Sequence, residues 1–164
     1  MTEKIDFQKS VLWVVAMTGI AFGVIFNVLP MTPLWLDEAQ SASIAEESFS
    51  SLVEALRHDG HPPLYYFLLG FWADLFGNSD FTLRAFSGLL GCLAIVMTWF
   101  TFRIHMGKRE SLIAASLMAS SPFAIRYATE VRMYSLIIFL LLCVYLNFYK
   151  ATVTQNSNTK NRFF

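Results

Sequence analysis

Long uncharged apolar runs limit what this chain can fold into more than any other feature. Val11 to Met31 carries no charged side chain and reaches the roughly 20 residues that a helix needs to cross about 30 Å of hydrocarbon. Ala85 to Phe102 and Met133 to Tyr149 are also uncharged and come close to that length. Backbone polar groups in lipid must be satisfied within their own segment, so runs of this kind fold as helices. The composition agrees: 55% of the residues are hydrophobic and only 15% charged, which departs from a soluble globular balance. The expected fold class is all-α, a polytopic integral membrane helical bundle.

Ser111 to Ile125 is shorter and contains Pro122, but Arg126 and Tyr127 can snorkel or anchor at an interface and lengthen it. A fourth crossing is therefore expected, giving spans over 11–31, 85–102, 111–126 and 133–149 and an outer loop over 32–84. "HPPLYYFLLGFWADLFG", His61 to Gly77, is too short for a comfortable crossing and includes Asp74. Its aromatic content suits a juxtamembrane helix lying in the interface. The first apolar run is as long as a span and lacks a small-x-small site at its end, so it is expected to stay attached rather than act as a cleaved signal.

Sidedness follows from the basic residues, which accumulate on the cytoplasmic side of membrane proteins. Four crossings place Lys4, Lys9, Arg103, Lys108, Arg109, Lys150, Lys160 and Arg162 inside and Arg57, Arg84, Arg126 and Arg132 outside. A fifth crossing at His61 to Gly77 would reverse that bias. Both termini are thus expected in the cytoplasm, in a bacterial inner membrane, with most acids on the periplasmic or extracellular face. The formal net charge is zero, so bulk electrostatics implies no nucleic-acid partner. Cys92 and Cys143 lie within apolar runs and have no metal-ligand spacing; they are expected to pack as small hydrophobes, with a disulfide left open.

Within the outer loop, Ala45, Phe49, Leu52, Val53 and Leu56 recur at helical spacing, and Ser51 with Glu54 reads as a capping box that starts a second short helix. "HDGHPP" then supplies a turn. The stretch 151–164 is polar and aperiodic and is expected to be disordered.

The chemistry is sought on the outer face. "PLWLDEAQSA" puts Asp37 and Glu38 just after the first span, where a helix would hold a carboxylate at the bilayer surface. Burial raises a carboxylate's pKa and a nearby cation lowers it, so this position suits a general base or a divalent metal ligand. The same acids also suit the positive end of a helix dipole. "SSPFAIRYATEVRMYSL" places Arg126, Glu130 and Arg132 between two apolar helices. Arginine's planar fork fits phosphate, and Glu130 can bind a metal or orient a guanidinium; a snorkelling, salt-bridged loop is the plainer alternative. His61 can approach an anionic headgroup or a metal from the same face. Arg57 and Arg84 suit contact with the phosphates of membrane lipid.

Together, "LWLDEAQSA", "HPPLYYFLLGFWADLFGNSDFTLRAFSGLLG" and "SPFAIRYATEVRMYSL" resemble the polytopic glycosyltransferases of the GT-C type, near the lipopolysaccharide-core, aminoarabinose and protein mannosyl transferase relatives. The resemblance covers roughly Val11 to Lys150. It implies a sugar donor on a polyprenyl phosphate, a lipid-linked glycan or protein acceptor reached from the periplasmic or extracellular side, and inversion at the anomeric carbon. Asp37 matches the acid proposed as general base, and Glu130 the acidic position of the second outer loop. Glu38, His61, Arg57, Arg126, Arg132 and Tyr134 are then expected to contact substrate, Arg132 at phosphate and Tyr134 at the lipid groove. In aminoarabinose transferase relatives a lysine often precedes the paired prolines; here His61 stands in that place, and an imidazole holds phosphate well only when protonated.

Such enzymes usually carry more spans, so a truncated relative, or one half of a split enzyme with a second chain supplying further spans, is expected. The rival reading is a non-catalytic membrane subunit that binds polyprenyl phosphate or a partner membrane protein. An ion pathway fits less well, because ionisable groups here cluster at one surface rather than inside spans.

Overall fold

The structure, a computed structural model, describes Met17, Gly19, Ala21 and residues 33–47, 49–59 and 61–160. The expected span over 11–31 lies, apart from those three residues, outside this range, as do 161–164. Among the described residues every regular element is helical, as the apolar runs require.

Three short helices precede the first long apolar helix. α1 spans Leu36–Ala45. Its first turn holds Asp37 and Glu38, placed well for the helix dipole, and Glu38 Oε2 accepts the Trp35 amide at 2.9 Å. α2 spans Phe49–Asp59, so the helix starts before Ser51 and the expected cap at Ser51 is not its beginning. The amphipathic pattern does hold, with Leu52 and Leu56 buried.

α3 spans Pro63–Phe76. Proline suits a first helical position because its fixed φ is already helical and its missing N–H has no intrahelical partner there. The helix is about 21 Å long at 1.5 Å per residue, short of a crossing. It stops at Gly77, whose φ of 92° is costly for any residue with a Cβ and whose amide donates to Ala73 at 2.7 Å. Midway, Gly70 lets α3 approach the end of α1: a Cβ there would lie 2.5 Å from the Ala45 carbonyl oxygen.

α4 spans Asp80–His105, with the Ser79 hydroxyl accepting the Thr82 amide at its start. α5 spans Lys108–Ser120, α6 Pro122–Ala128 and α7 Tyr134–Lys160. Asp80–His105 and Tyr134–Val153 are long and apolar enough to cross a membrane, with mean hydropathies of 1.8 and 2.0. The crossing expected over 111–126 is not one helix. It breaks at Ser121, because proline disfavours helical backbone in the residue before it and has no N–H for the ladder; the Ser121 hydroxyl then caps α6.

The helix ends define the topology. Arg84, one turn into α4, is joined through Glu38 to Val131, just ahead of α7. At the other end of α4, the His105 ring packs edge-on to Tyr149 at 4.2 Å and its Nε2 lies 3.1 Å from the Tyr145 hydroxyl. α4 and α7 therefore run in the same direction, and the kinked pair α5–α6 carries the chain back between them, touching α4 along the way.

The larger core lies at the Arg84 end, where Tyr65, Tyr66, Leu69, Phe86 and Val131 pack with α1 and α2. A smaller cluster of Ile95, Ala115 and Ala119 joins α4 to α5. Cys92 and Cys143 are free thiols, so the disulfide left open by the sequence is not formed. The polar stretch after Ala151, expected to be disordered, continues α7 as far as Lys160. Extending a helix costs far less than nucleating one, and the apolar residues before it supply the nucleus.

Candidate functional site

The start of α1, the end of α6, and the turn into α7 meet at the Arg84 end and enclose a cleft of about 370 Å³. Its walls include Trp35, Asp37 and Glu38 from the first segment and Arg126, Tyr127, Glu130, Arg132 and Tyr134 from the second. The second wall is held by its own backbone. The Arg132 amide donates to the Glu130 carbonyl at 2.8 Å, closing a three-residue turn, and the Ser135 hydroxyl donates to the Tyr127 carbonyl at 3.0 Å. Tyr127 and Tyr134 pack with their ring centroids 4.6 Å apart.

The two adjacent acids of α1 have opposite environments. The Asp37 side chain is 71% exposed and faces Arg132, with Oδ2 3.8 Å from Nη1. Glu38 is 2% exposed and fully engaged. Its Oε1 accepts from Arg84 Nε at 3.1 Å and from the Val131 amide at 2.9 Å, and its Oε2 accepts from Arg84 Nη2 at 2.5 Å and from the Trp35 amide. Arg84 is itself 2% exposed and also donates to the Pro33 carbonyl at 2.9 Å. Burial by itself would raise the Glu38 pKa, but the hydrogen bonds from Arg84, Trp35 and Val131 and the arginine's charge outweigh it and hold the carboxyl below its usual range.

These facts alter two sequence readings. Arg84 does not face lipid phosphate: it lies under the cleft, paired with a carboxylate. Glu38, expected to contact substrate, borders the cleft but spends both oxygens on protein donors. Burying an arginine and a glutamate together is tolerable only with this degree of hydrogen bonding.

The cations of the cleft differ too. The Arg132 side chain is 16% exposed. Burial would lower its pKa, yet the hydrogen bond to Tyr134 and the neighbouring Tyr134, Tyr66 and Asp37 raise it, so Arg132 is a permanent charge. Arg126 is largely exposed at the rim, with Nε 3.1 Å from Glu130 Oε1.

Beneath them, burial pushes the Tyr65 phenol well above its ordinary pKa, and its hydroxyl is 2.8 Å from that of Ser87. Tyr65 therefore serves as a neutral strut between α3 and α4.

Six expected site residues, Asp37, Glu38, Arg126, Glu130, Arg132 and Tyr134, border one cleft. Two do not. His61 is half-buried beside the Tyr66 ring, at 6.4 Å between centroids. Arg57 is exposed on α2, 3.7 Å from Glu54. Among the described residues no three His, Cys, Asp or Glu side chains gather in a metal-holding cluster; the acids of the cleft are instead partnered by guanidinium groups.

Sequence reasoning gave Tyr127 only an interfacial role, not a place in the cleft, and missed the role of Arg84. An available signal was Arg84 itself, a charge just ahead of the long uncharged run that begins at Ala85, which needs a partner.

A family model for dolichyl-phosphate-mannose-protein mannosyltransferases matches residues 60–160. The chain belongs to that family. It is accordingly a GT-C-like, glycosyltransferase-like membrane protein, as the resemblance implied. The match takes in α3 to α7, and with them Arg84, Arg126, Glu130 and Arg132; Asp37 and Glu38 precede it. No solved structure matches the chain.

Proposed function

We propose that this protein transfers a sugar from a polyprenyl-phosphate donor to the hydroxyl of a glycan or protein acceptor, in the cleft between α1 and α6. The observation that carries the reading is the facing of Asp37, exposed and acceptor-ready, against Arg132, a half-buried permanent cation. A carboxylate that takes a proton and a guanidinium that holds a phosphate are the two groups such a transfer needs.

In this reading the donor phosphate binds Arg132, with Arg126 at the rim. The acceptor oxygen forms its bond to the anomeric carbon as the bond from that carbon to the phosphate oxygen breaks. The electron pair leaves with the phosphate, the configuration inverts, and the acceptor proton passes to Asp37. Arginine charge stabilises the departing phosphate, while Asp37 supplies general-base assistance of about 10²–10⁴-fold. Glu130 orients Arg126. The cleft opens to the periplasmic or extracellular face, where the basic-residue bias puts it.

The test is sugar transfer in membranes given a panel of polyprenyl-phosphate sugars, comparing the native chain with Asp37→Asn. Loss of about 10²-fold or more in kcat at unchanged protein level supports the base assignment. Transfer equal in both forms overturns it. Absence of transfer in correctly inserted native chain favours the non-catalytic, lipid-binding reading.

A further inference from the structure

Glu38 grips the residues next to both working groups. Its own position is adjacent to Asp37 on α1, and its Oε1 accepts the amide of Val131, the residue adjacent to Arg132. The same oxygen takes Arg84 Nε, while Oε2 takes Arg84 Nη2 and the Trp35 amide. Arg84 in turn holds the Pro33 carbonyl, so the strand of chain leading into α1 is fixed from both sides. One buried carboxylate and one buried guanidinium thus tie the two walls of the cleft to α4, the long apolar helix.

Across the cleft itself, Asp37 and Arg132 meet only at 3.8 Å. That contact is long, and one partner is exposed, so it cannot set the spacing. We infer that Glu38 and Arg84 form a positioning pair: they touch no substrate, and they fix the gap between the base Asp37 and the phosphate-holding Arg132.

This inference rests on the transfer reading for what the gap is used for, but the gap can be measured without transfer. A pair meant only to hold the fold together would change the amount of folded protein and leave folded molecules equally competent. A positioning pair predicts something further. Folded protein should survive with its two walls displaced, donor affinity little changed and turnover reduced, since misplacement by about 1 Å costs on the order of 10²-fold in rate.

The experiment uses the full chain in detergent or native membranes, in a C92S/C143S background with D37C and R132C added. A short bifunctional methanethiosulfonate then reports the distance across the cleft. Crosslinking should be fast with Glu38 present and slow by about tenfold or more after Glu38→Gln, in protein that still elutes as a single folded species. Arg84→Lys provides the same comparison with a cation retained in the buried site but the two-nitrogen grip lost, and it decides the matter where Glu38→Gln does not fold.

In the D37- and R132-intact chain, each variant should lower kcat with KM for the donor held within about threefold. Equal crosslinking rates in folded native and variant chains overturn the inference. So does a rise in KM at unchanged kcat, which would make Glu38 a substrate contact. If the native chain transfers no sugar, the crosslinking comparison still decides whether the pair sets the gap, and the failure belongs to the transfer reading alone.

Discussion

Two arginine–carboxylate pairs border the cleft, and they share one contact of the same length at very different depths. Arg84 Nε lies 3.1 Å from Glu38 Oε1, and Arg126 Nε lies 3.1 Å from Glu130 Oε1. The first pair is almost wholly shielded, while the second has side chains 72% and 28% exposed. Depth changes what the same contact does. Under the cleft each charge has given up water, so either one alone would be an uncompensated buried ion. At the rim water competes with the partner, the pair holds little free energy, and both groups can turn toward a ligand.

The strongest challenge to this contrast is Arg84→Met. It should destabilise the protein by about 3–5 kcal/mol, the cost of stranding Glu38, and thermal unfolding of the purified chain in detergent would show it. Combining Glu38→Gln with Arg84→Met removes both charges and keeps one side-chain oxygen, enough to accept either the Val131 or the Trp35 amide. That double variant should be more stable than Arg84→Met alone. A double variant as unstable as the single one would mean that arginine's packing and its bond to Pro33 matter more than the charge pair.

Acid supplies a graded version of the test. The Glu38 carboxyl is depressed below its ordinary value of 4.5 in the folded protein. Its ionised form therefore contributes stability that is fully present above that value and is lost as the pH falls from 4.5 toward the lower folded value. Unfolding temperature followed down through that window should decline in the native chain and decline less in Glu38→Gln.

The smallest effect is expected at the rim. Glu130→Gln should cost under about 1 kcal/mol, and added salt should shrink even that difference. A loss comparable to that of Arg84→Met would erase the distinction between the two pairs.

Much of the fold was legible from residue order because its cause is local. Uncharged runs long enough to cross lipid became α4 and α7, and the short aromatic stretch after His61 became a separate helix that opens on Pro63 and stops at Gly77. The break in 111–126 was also written in the sequence, as Pro122, although snorkelling arginine and tyrosine suggested a way past it. The tail misled because polarity by itself says little about a helix already nucleated upstream. The cleft was partly legible. Charges set between apolar helices had to collect at a surface, and Asp37, Arg126, Glu130 and Arg132 do so; Arg57, equally charged and equally exposed by sequence, sits on α2 away from them.

The sequence by itself determined an all-helical chain, the apolar lengths of its helices, its membership in a mannosyltransferase family, and the presence of two adjacent acids at the start of α1. Only the tertiary structure decided which acid does what. Neighbouring side chains on an α-helix point about 100° apart, so Asp37 and Glu38 cannot share one environment. Which of them turns inward depends on what is waiting there, and the waiting groups, Arg84 on α4 and the Val131 amide before α7, are brought from 46 and 93 residues further along the chain. A buried guanidinium claims the carboxylate that can reach it, and Asp37 is left facing the cleft.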